Sequence, residues 1–176
     1  MTDPRHALIV IDLQNDYFPE GRFPLWNTLP VLDKTIDAIK LASSRNIPVI
    51  LVQHIAPSQS PFFSEGTTGA DLHPRLLAAA PKAPVVIKTQ ADSFLGTSLT
   101  ETLEVLKVDS LLICGMMTHN CVTHTALSKA AEKYQLAILQ DCCATVSEIL
   151  HVIALKAIEP RIPLLSSEQA LGTASR

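Results

Sequence analysis

A single doubly wound α/β domain, with a six-stranded and mostly parallel sheet flanked by helices on both faces, is the fold class this sequence predicts. Three observations carry that expectation. Short continuous apolar runs recur (HALIVI at 6–11, PVILVQ at 48–53, PVVIK at 84–88, LLIC at 111–114), as strands buried on both faces require. Stretches of helical periodicity alternate with them, the layout of βαβ crossovers. The 176 residues are 47% hydrophobic and 18% charged, which suits one sizeable core and not a disordered chain. No repeat, low-complexity tract or linker divides the sequence, so residues 1–176 are expected to form one domain.

The elements follow in order. The first strand, 6–11, ends abruptly at Asp12. A polar turn region follows, and Val31, Leu32, Ile36, Ile39 and Ala42 then recur at helical spacing over 31–43, closed by Asn46 and Pro48. The second strand, 48–53, leads into His54. Residues 55–84 are irregular and proline-rich, longer than an ordinary connection. This segment is expected to act as a lid, with a short helix near 74–80 and with Phe62, Phe63 and Leu72 to bury. A third strand, 85–88, ends in Lys88. Residues 98–107 read as a helix with Ser98 as N-cap and Glu101 completing a capping box. The fourth strand, 111–114, passes through Gly115 into a helix reaching about residue 134. A fifth strand, 136–139, precedes Asp141, a helix covers 146–158, and 163–165 is an edge strand.

Charge and composition exclude several function classes. A net charge of −3 gives no footprint for nucleic acid or an anionic membrane. No apolar stretch approaches the ~20 residues that span a bilayer. The first residues, MTDPRHALIVIDLQ, lack a signal-peptide layout, so a cytoplasmic, reducing setting with free thiols is expected for the four cysteines.

Ligands of open α/β sheets bind beyond the carboxyl ends of the strands. Three predicted strands end in, or lead to, a residue able to do chemistry: Asp12, Lys88 and Cys121. Cys121 falls in the first turn of a predicted helix, where unpaired N–H groups and the helix dipole favour the thiolate. Asp12 can take the thiol proton and return it to a leaving group, and Lys88 can lower the thiol pKa. The backbone N–H groups of Met117 and Cys121 are candidates for an oxyanion hole, one such donor being worth ~3–4 kcal/mol.

The segments VIDLQNDY at 10–17, Lys88 followed by ADSF at 91–94, and GMMTHNCVTHTA at 115–126 resemble the isochorismatase-like cysteine hydrolases, which include nicotinamidases and N-carbamoylsarcosine amidohydrolases. The resemblance also takes in PVILVQH, EGTTGADLHP at 65–74 and the strand before Asp141. It implies a Rossmann-type strand order, a catalytic triad of Asp12, Lys88 and Cys121, a cis peptide between Met116 and Met117, and a small-molecule substrate. It further implies a homo-oligomer, dimer or tetramer. Candidate substrate contacts are Gln14, Phe18, His54, Phe94 and Thr118, with His119 and His124 left open; Gln14 is also expected to order the site. Nicotinamidases hold a metal through an Asp-x-His-x-x-His-type cluster, but here the region reads QHIAPSQS with no second histidine nearby. No metal and no cofactor are therefore expected. Founding isochorismatases lack the nucleophilic cysteine, so Cys121 points to C–N hydrolysis of an amide or carbamoyl group.

Other classes fit less well. A nucleotide-binding domain needs a glycine-rich turn after the first strand, where this chain has Asp-Leu-Gln-Asn-Asp. A thiol redox protein of the same fold would carry a resolving cysteine, and Cys114, Cys142 and Cys143 read as core residues. A catalytically silent binding member would not need all three of Asp12, Lys88 and Cys121.

Overall fold

The apolar runs assemble into one six-stranded sheet in the computed structural model, which describes residues 5–172. The first four and last four residues of the expected 1–176 domain lie outside the described residues. The strands are β1 (His6–Ile11), β2 (Val49–His54), β3 (Val85–Lys88), β4 (Ser110–Met116), β5 (Gln135–Ala144) and β6 (Leu164–Leu165), in the order β3-β2-β1-β4-β5-β6. Every neighbouring pair is parallel. The connections run outward from β1 to β3, then return to β4 and run outward again to β6. With right-handed crossovers this reversal puts helices on both faces and opens a crevice between β1 and β4.

The helices are α1 (Thr28–Ser44), α2 (Pro74–Ala79), α3 (Leu99–Leu106), α4 (Thr123–Ala126), α5 (Glu148–Ile158) and α6 (Ser167–Leu171). Helix α1 buries Val31, Leu32, Thr35, Ile36, Ala38, Ile39 and Ala42, packing across β1, β2 and β5 and beside α2 and α6. Residues Ala7 to Ile11 of β1 are wholly buried, as an interior parallel strand demands.

Several expectations are corrected. The helix expected to run from Cys121 to about residue 134 is broken into a π-type turn (Thr118–Val122), α4, and a 3-10 turn (Lys129–Lys133). Hydroxyl and imidazole groups compete for its backbone: Thr123 donates to the Asn120 carbonyl, His124 Nδ1 lies 2.8 Å from the same oxygen, and the Ser128 side chain accepts from the Ala130 N–H. Strand β5 runs five residues past its expected end at 139. It contains Asp141, whose carboxylate accepts from the Ser167 N–H and hydroxyl, and its register against β4 is irregular between Ile113 and Gly115. The capping box at Ser98 does not form. Ser98 has φ −85° and ψ 11°, not the extended geometry of an N-cap, and the Leu99 N–H bonds to Thr97 Oγ1 instead. A true capping box, Ser166 with Gln169, opens the unforeseen helix α6.

Residues 55–84 carry a 3-10 turn (Thr68–Ala70) and α2, and bury Phe63, Ala70, Leu72 and Leu76. The Phe63 N–H donates to Asp16 Oδ2, the His73 N–H to the Leu13 carbonyl, and the Phe63 and Tyr17 rings lie 4.5 Å apart. The segment is thereby pinned to the chain that leaves β1.

Candidate active site

The sheet register levels the functional strand ends. Ile11 pairs with Val52 and with Gly115, and His54 pairs with Lys88, so Asp12, His54, Lys88 and the turn after β4 all leave the sheet at one edge. Gly115 (φ +125°) is required there, because a Cβ would collide with the Ile11 carbonyl oxygen. The following Met116–Met117 peptide is cis. Asp12 adopts left-handed backbone (φ 54°), which Asp tolerates better than most residues, and its N–H is held by the Val52 carbonyl.

Lys88 is the hub. Its Nζ lies 2.9 Å from Asp12 Oδ2 and donates to Cys121 Sγ at 3.3 Å, to the Gln90 carbonyl at 3.0 Å, and to His54 Nδ1 at 3.0 Å. The Lys88 and Asp12 side chains have no solvent exposure and Cys121 is 3% exposed. Asp12 and Lys88 thus form an ion pair wholly removed from solvent. Asp12, His54 and Cys121 offer donor atoms within 4.8 Å of one another, the makings of a metal site. The Lys88 ammonium already sits among them, so the donor set does not suit a second cation.

Burial sets the protonation states. It pushes the Cys121 thiol up to about 12, reinforced by the Asp12 charge and only partly opposed by Lys88. It also raises Asp12 above the usual carboxylate range, against the pull of Lys88. This corrects the expectation of a thiol pKa lowered by the helix start and Lys88: desolvation in so closed a site outweighs both. Burial thus favours the neutral thiol of Cys121 near pH 7. His54 is pushed down to about 4 by burial and then by Lys88, so it is neutral near pH 7.

The remaining sequence candidates divide. Gln14 is fully buried, and its amide is spent on backbone: Nε2 donates to the His54 and Ala70 carbonyls at 2.8 and 2.7 Å, while Oε1 accepts from the His54 N–H at 2.8 Å. Thr118 Oγ1 lies 2.9 Å from His151 Nδ1, tying the π-type turn that carries Cys121 to α5. The Phe18 ring lies tilted 4.4 Å from that of His73, beside a surface cavity of about 560 Å³ that Asp12, Lys88 and Cys121 do not line. The buried thiol, carboxylate and ammonium make Cys121, Asp12 and Lys88 the candidate site, and the residues lining that cavity include no cysteine or lysine. Phe94 is buried with its ring 6.4 Å from Tyr134. His119 Nδ1 lies 2.6 Å from Thr145 Oγ1, and His124 contacts the Asn120 carbonyl.

Sequence reasoning named Trp26 as a possible pocket residue and missed Asp16, Thr145 and His151. Asp16 is buried and accepts from the Arg22 and Phe63 N–H groups, and a Cβ at Gly69 would collide with its carboxylate. The Trp26 ring lies 5.8 Å from that of His151, and the Trp26 backbone N–H donates to the Thr145 carbonyl. Only Asp16 left a local sign, as a second carboxylate in the turn after the first strand. Thr145, just after β5, and His151, on α5, meet His119 and Thr118 of the turn after β4 through contacts between elements that no periodicity encodes.

Comparison with known proteins places this geometry in context. A family model described as the isochorismatase domain matches residues 6–169. An uncharacterized isochorismatase family protein of Bacillus subtilis is 34% identical over 142 residues, 80% of this chain and 78% of the relative. A streptothricin hydrolase of Streptomyces noursei is 28% identical over 95% of this chain and 64% of its own length. Among solved structures, an Oleispira antarctica protein described under the isochorismatase hydrolases superposes with a TM-score of 0.88 at 30% identity, covering 98% of this chain and 99% of its own.

Proposed function

This chain belongs to the isochorismatase family of hydrolases, and we propose that it cleaves the C–N bond of a small amide or carbamoyl compound through a covalent Cys121 acyl intermediate, without a metal. The observation that carries this reading is the buried cluster in which one ammonium lies 2.9 Å from a carboxylate oxygen and 3.3 Å from a thiol. The streptothricin hydrolase relative supports hydrolytic chemistry.

Asp12 takes the thiol proton as Sγ attacks the carbonyl carbon, and Lys88 stabilises the sulfur charge. The N–H groups of Met117 and Cys121 receive the oxyanion; one such donor is worth about 10²–10³ in rate. Asp12 passes its proton to the departing amine or ammonia. Water then attacks the thioester, Asp12 accepts a water proton, and the acid leaves as Cys121 regains its own. A screen of small primary amides and carbamoyl compounds for ammonia release, with Cys121→Ala as the blank, tests the reading. Turnover in the wild type and none in a folded Cys121→Ala is expected; comparable turnover in both discards the mechanism.

A homo-oligomer, dimer or tetramer, completes the reading. The exposed side of α5 supports it: Ile149, Val152 and Ile153 are 74%, 50% and 58% exposed, a contiguous apolar stripe on one helix.

A further inference from the structure

Tyr17 keeps a hydroxyl that the fold does not use. The residue is 1% exposed, and its ring lies 4.5 Å from that of Phe63, 5.7 Å from Phe62 and 6.3 Å from Phe23. A phenylalanine would fill that aromatic cluster as well, so packing explains the ring and leaves the hydroxyl unexplained. Among the described residues no group forms a hydrogen bond with this hydroxyl. Burying a hydroxyl without a partner forfeits its hydration, so a native protein keeps such a group where something else takes its proton.

The hydroxyl stands within reach of the reactive cluster. Tyr17 ends the 3-10 turn Asn15–Tyr17, and its backbone is fixed on both sides: the N–H donates to the Gln14 carbonyl and the carbonyl accepts from the Leu25 N–H. Phe63, packed on the Tyr17 ring, lies 5.9 Å from the His54 ring, whose Nδ1 is 3.0 Å from Lys88 Nζ. Burial raises the hydroxyl pKa, and the charges of Asp12, Cys121 and Asp16 raise it further, so the group is a neutral donor near pH 7. Negative charge on Asp12 and Cys121 also draws the O–H dipole toward the reactive atoms. A substrate carboxylate placed against the hydroxyl would be repelled by that charge, whereas an uncharged oxygen would accept the proton freely.

We propose that Tyr17 is a specificity-determining residue of the hydrolase site: its hydroxyl donates a hydrogen bond to a second, uncharged acceptor of the substrate, so the preferred substrate is an amide or carbamoyl compound with a neutral carbonyl beyond the scissile bond. The inference rests on the cysteine-hydrolase reading and narrows its substrate class. The test is protection of Cys121 in the whole protein against iodoacetamide, followed by mass spectrometry. Two sets of amides are compared, each matched in shape: malonamide, malonamate and isovaleramide, and, one carbon longer, succinamide, succinamate and 4-methylpentanamide. The far end in each set is a neutral carbonyl, a carboxylate or a branched hydrocarbon. In the wild type at least one diamide is expected to half-protect at a concentration about tenfold below both of its matches. Tyr17→Phe removes that advantage and leaves protection by the hydrocarbon amide unchanged. Its urea midpoint equals or exceeds that of the wild type, because no hydrogen bond of the fold is lost.

A diamide advantage that survives in Tyr17→Phe overturns the proposal, as does a wild type that prefers neither diamide or is protected by none of the six compounds. A lowered midpoint or an unfolded Tyr17→Phe overturns it too, since the hydroxyl then serves the fold. If the diamides protect but release no ammonia, the hydrolase reading falls while the protection pattern still decides the role of Tyr17.

Discussion

At the scale of single residues, the site is governed by what burial does to charge. Removing one partner of a buried pair leaves the other uncompensated, so Lys88→Met is expected to cost about 3–5 kcal/mol in chemical unfolding. Adding Asp12→Asn, which keeps a residue tolerant of left-handed backbone, should recover much of that loss. A double variant as unstable as Lys88→Met alone would show that the pairing was not the cause. The thiols make a second prediction. Cys121 and Cys142 are both pushed from near 9 up to about 12 by burial, so folding favours their neutral forms. That contribution is complete below pH 9, where the unfolded thiols are also neutral, and is lost as pH rises toward 12. The urea midpoint should therefore fall steeply above pH 9, and Cys142→Ala should flatten that slope.

At the scale of elements, local signals were legible where one residue type decides the outcome and misleading where tertiary packing decides. The six apolar runs appear as strands, and Gly115 sits where only glycine fits between β4 and the Ile11 carbonyl. Gly115→Ala should accordingly abolish soluble folded protein. The two serine caps show the opposite side. Ser98 has the right spacing to Glu101 but the wrong backbone, while Ser166 has both spacing and geometry. Ser166→Ala should cost about 1 kcal/mol and Ser98→Ala less than about 0.5 kcal/mol, read from thermal or urea unfolding. Similar losses for both would contradict the geometry. Charge misled in the same way at Asp141: as an apparent strand terminator it hid the second half of β5, because its partner Ser167 lies 26 residues downstream. Asp12, Lys88 and Cys121 were readable because each follows an apolar run. The clamp of Gln14 on His54 was not, since an amide shows nothing of its orientation in sequence.

At the scale of the whole molecule, the β3-β2-β1-β4-β5-β6 order gathers residues as far apart in sequence as Asp12 and Cys121 into one crevice. The described residues contain no helix long and apolar enough to cross a membrane; the exposed stripe on α5 is proposed above to meet a partner. If that partner is a second copy, Ile149→Glu with Ile153→Glu should reduce the assembly to monomers by light scattering while leaving the far-UV spectrum intact. An unchanged mass would place the interface elsewhere.

The central position of β1 also governs how the chain must be made. His6 pairs with Ser110 and Ile11 with Gly115, about a hundred residues apart. Pairing so distant in sequence is slow to form. During synthesis the run ALIVI can find β2 early, but its other edge stays open until residues 110–116 have left the ribosome. For that interval a run wholly buried in the finished protein, Ala7 to Ile11, is an unpaired apolar edge, the kind of surface on which nascent chains aggregate or recruit chaperones. Fragments ending before β4 should therefore be insoluble, and slower translation upstream of residue 110 should lower the yield of folded protein.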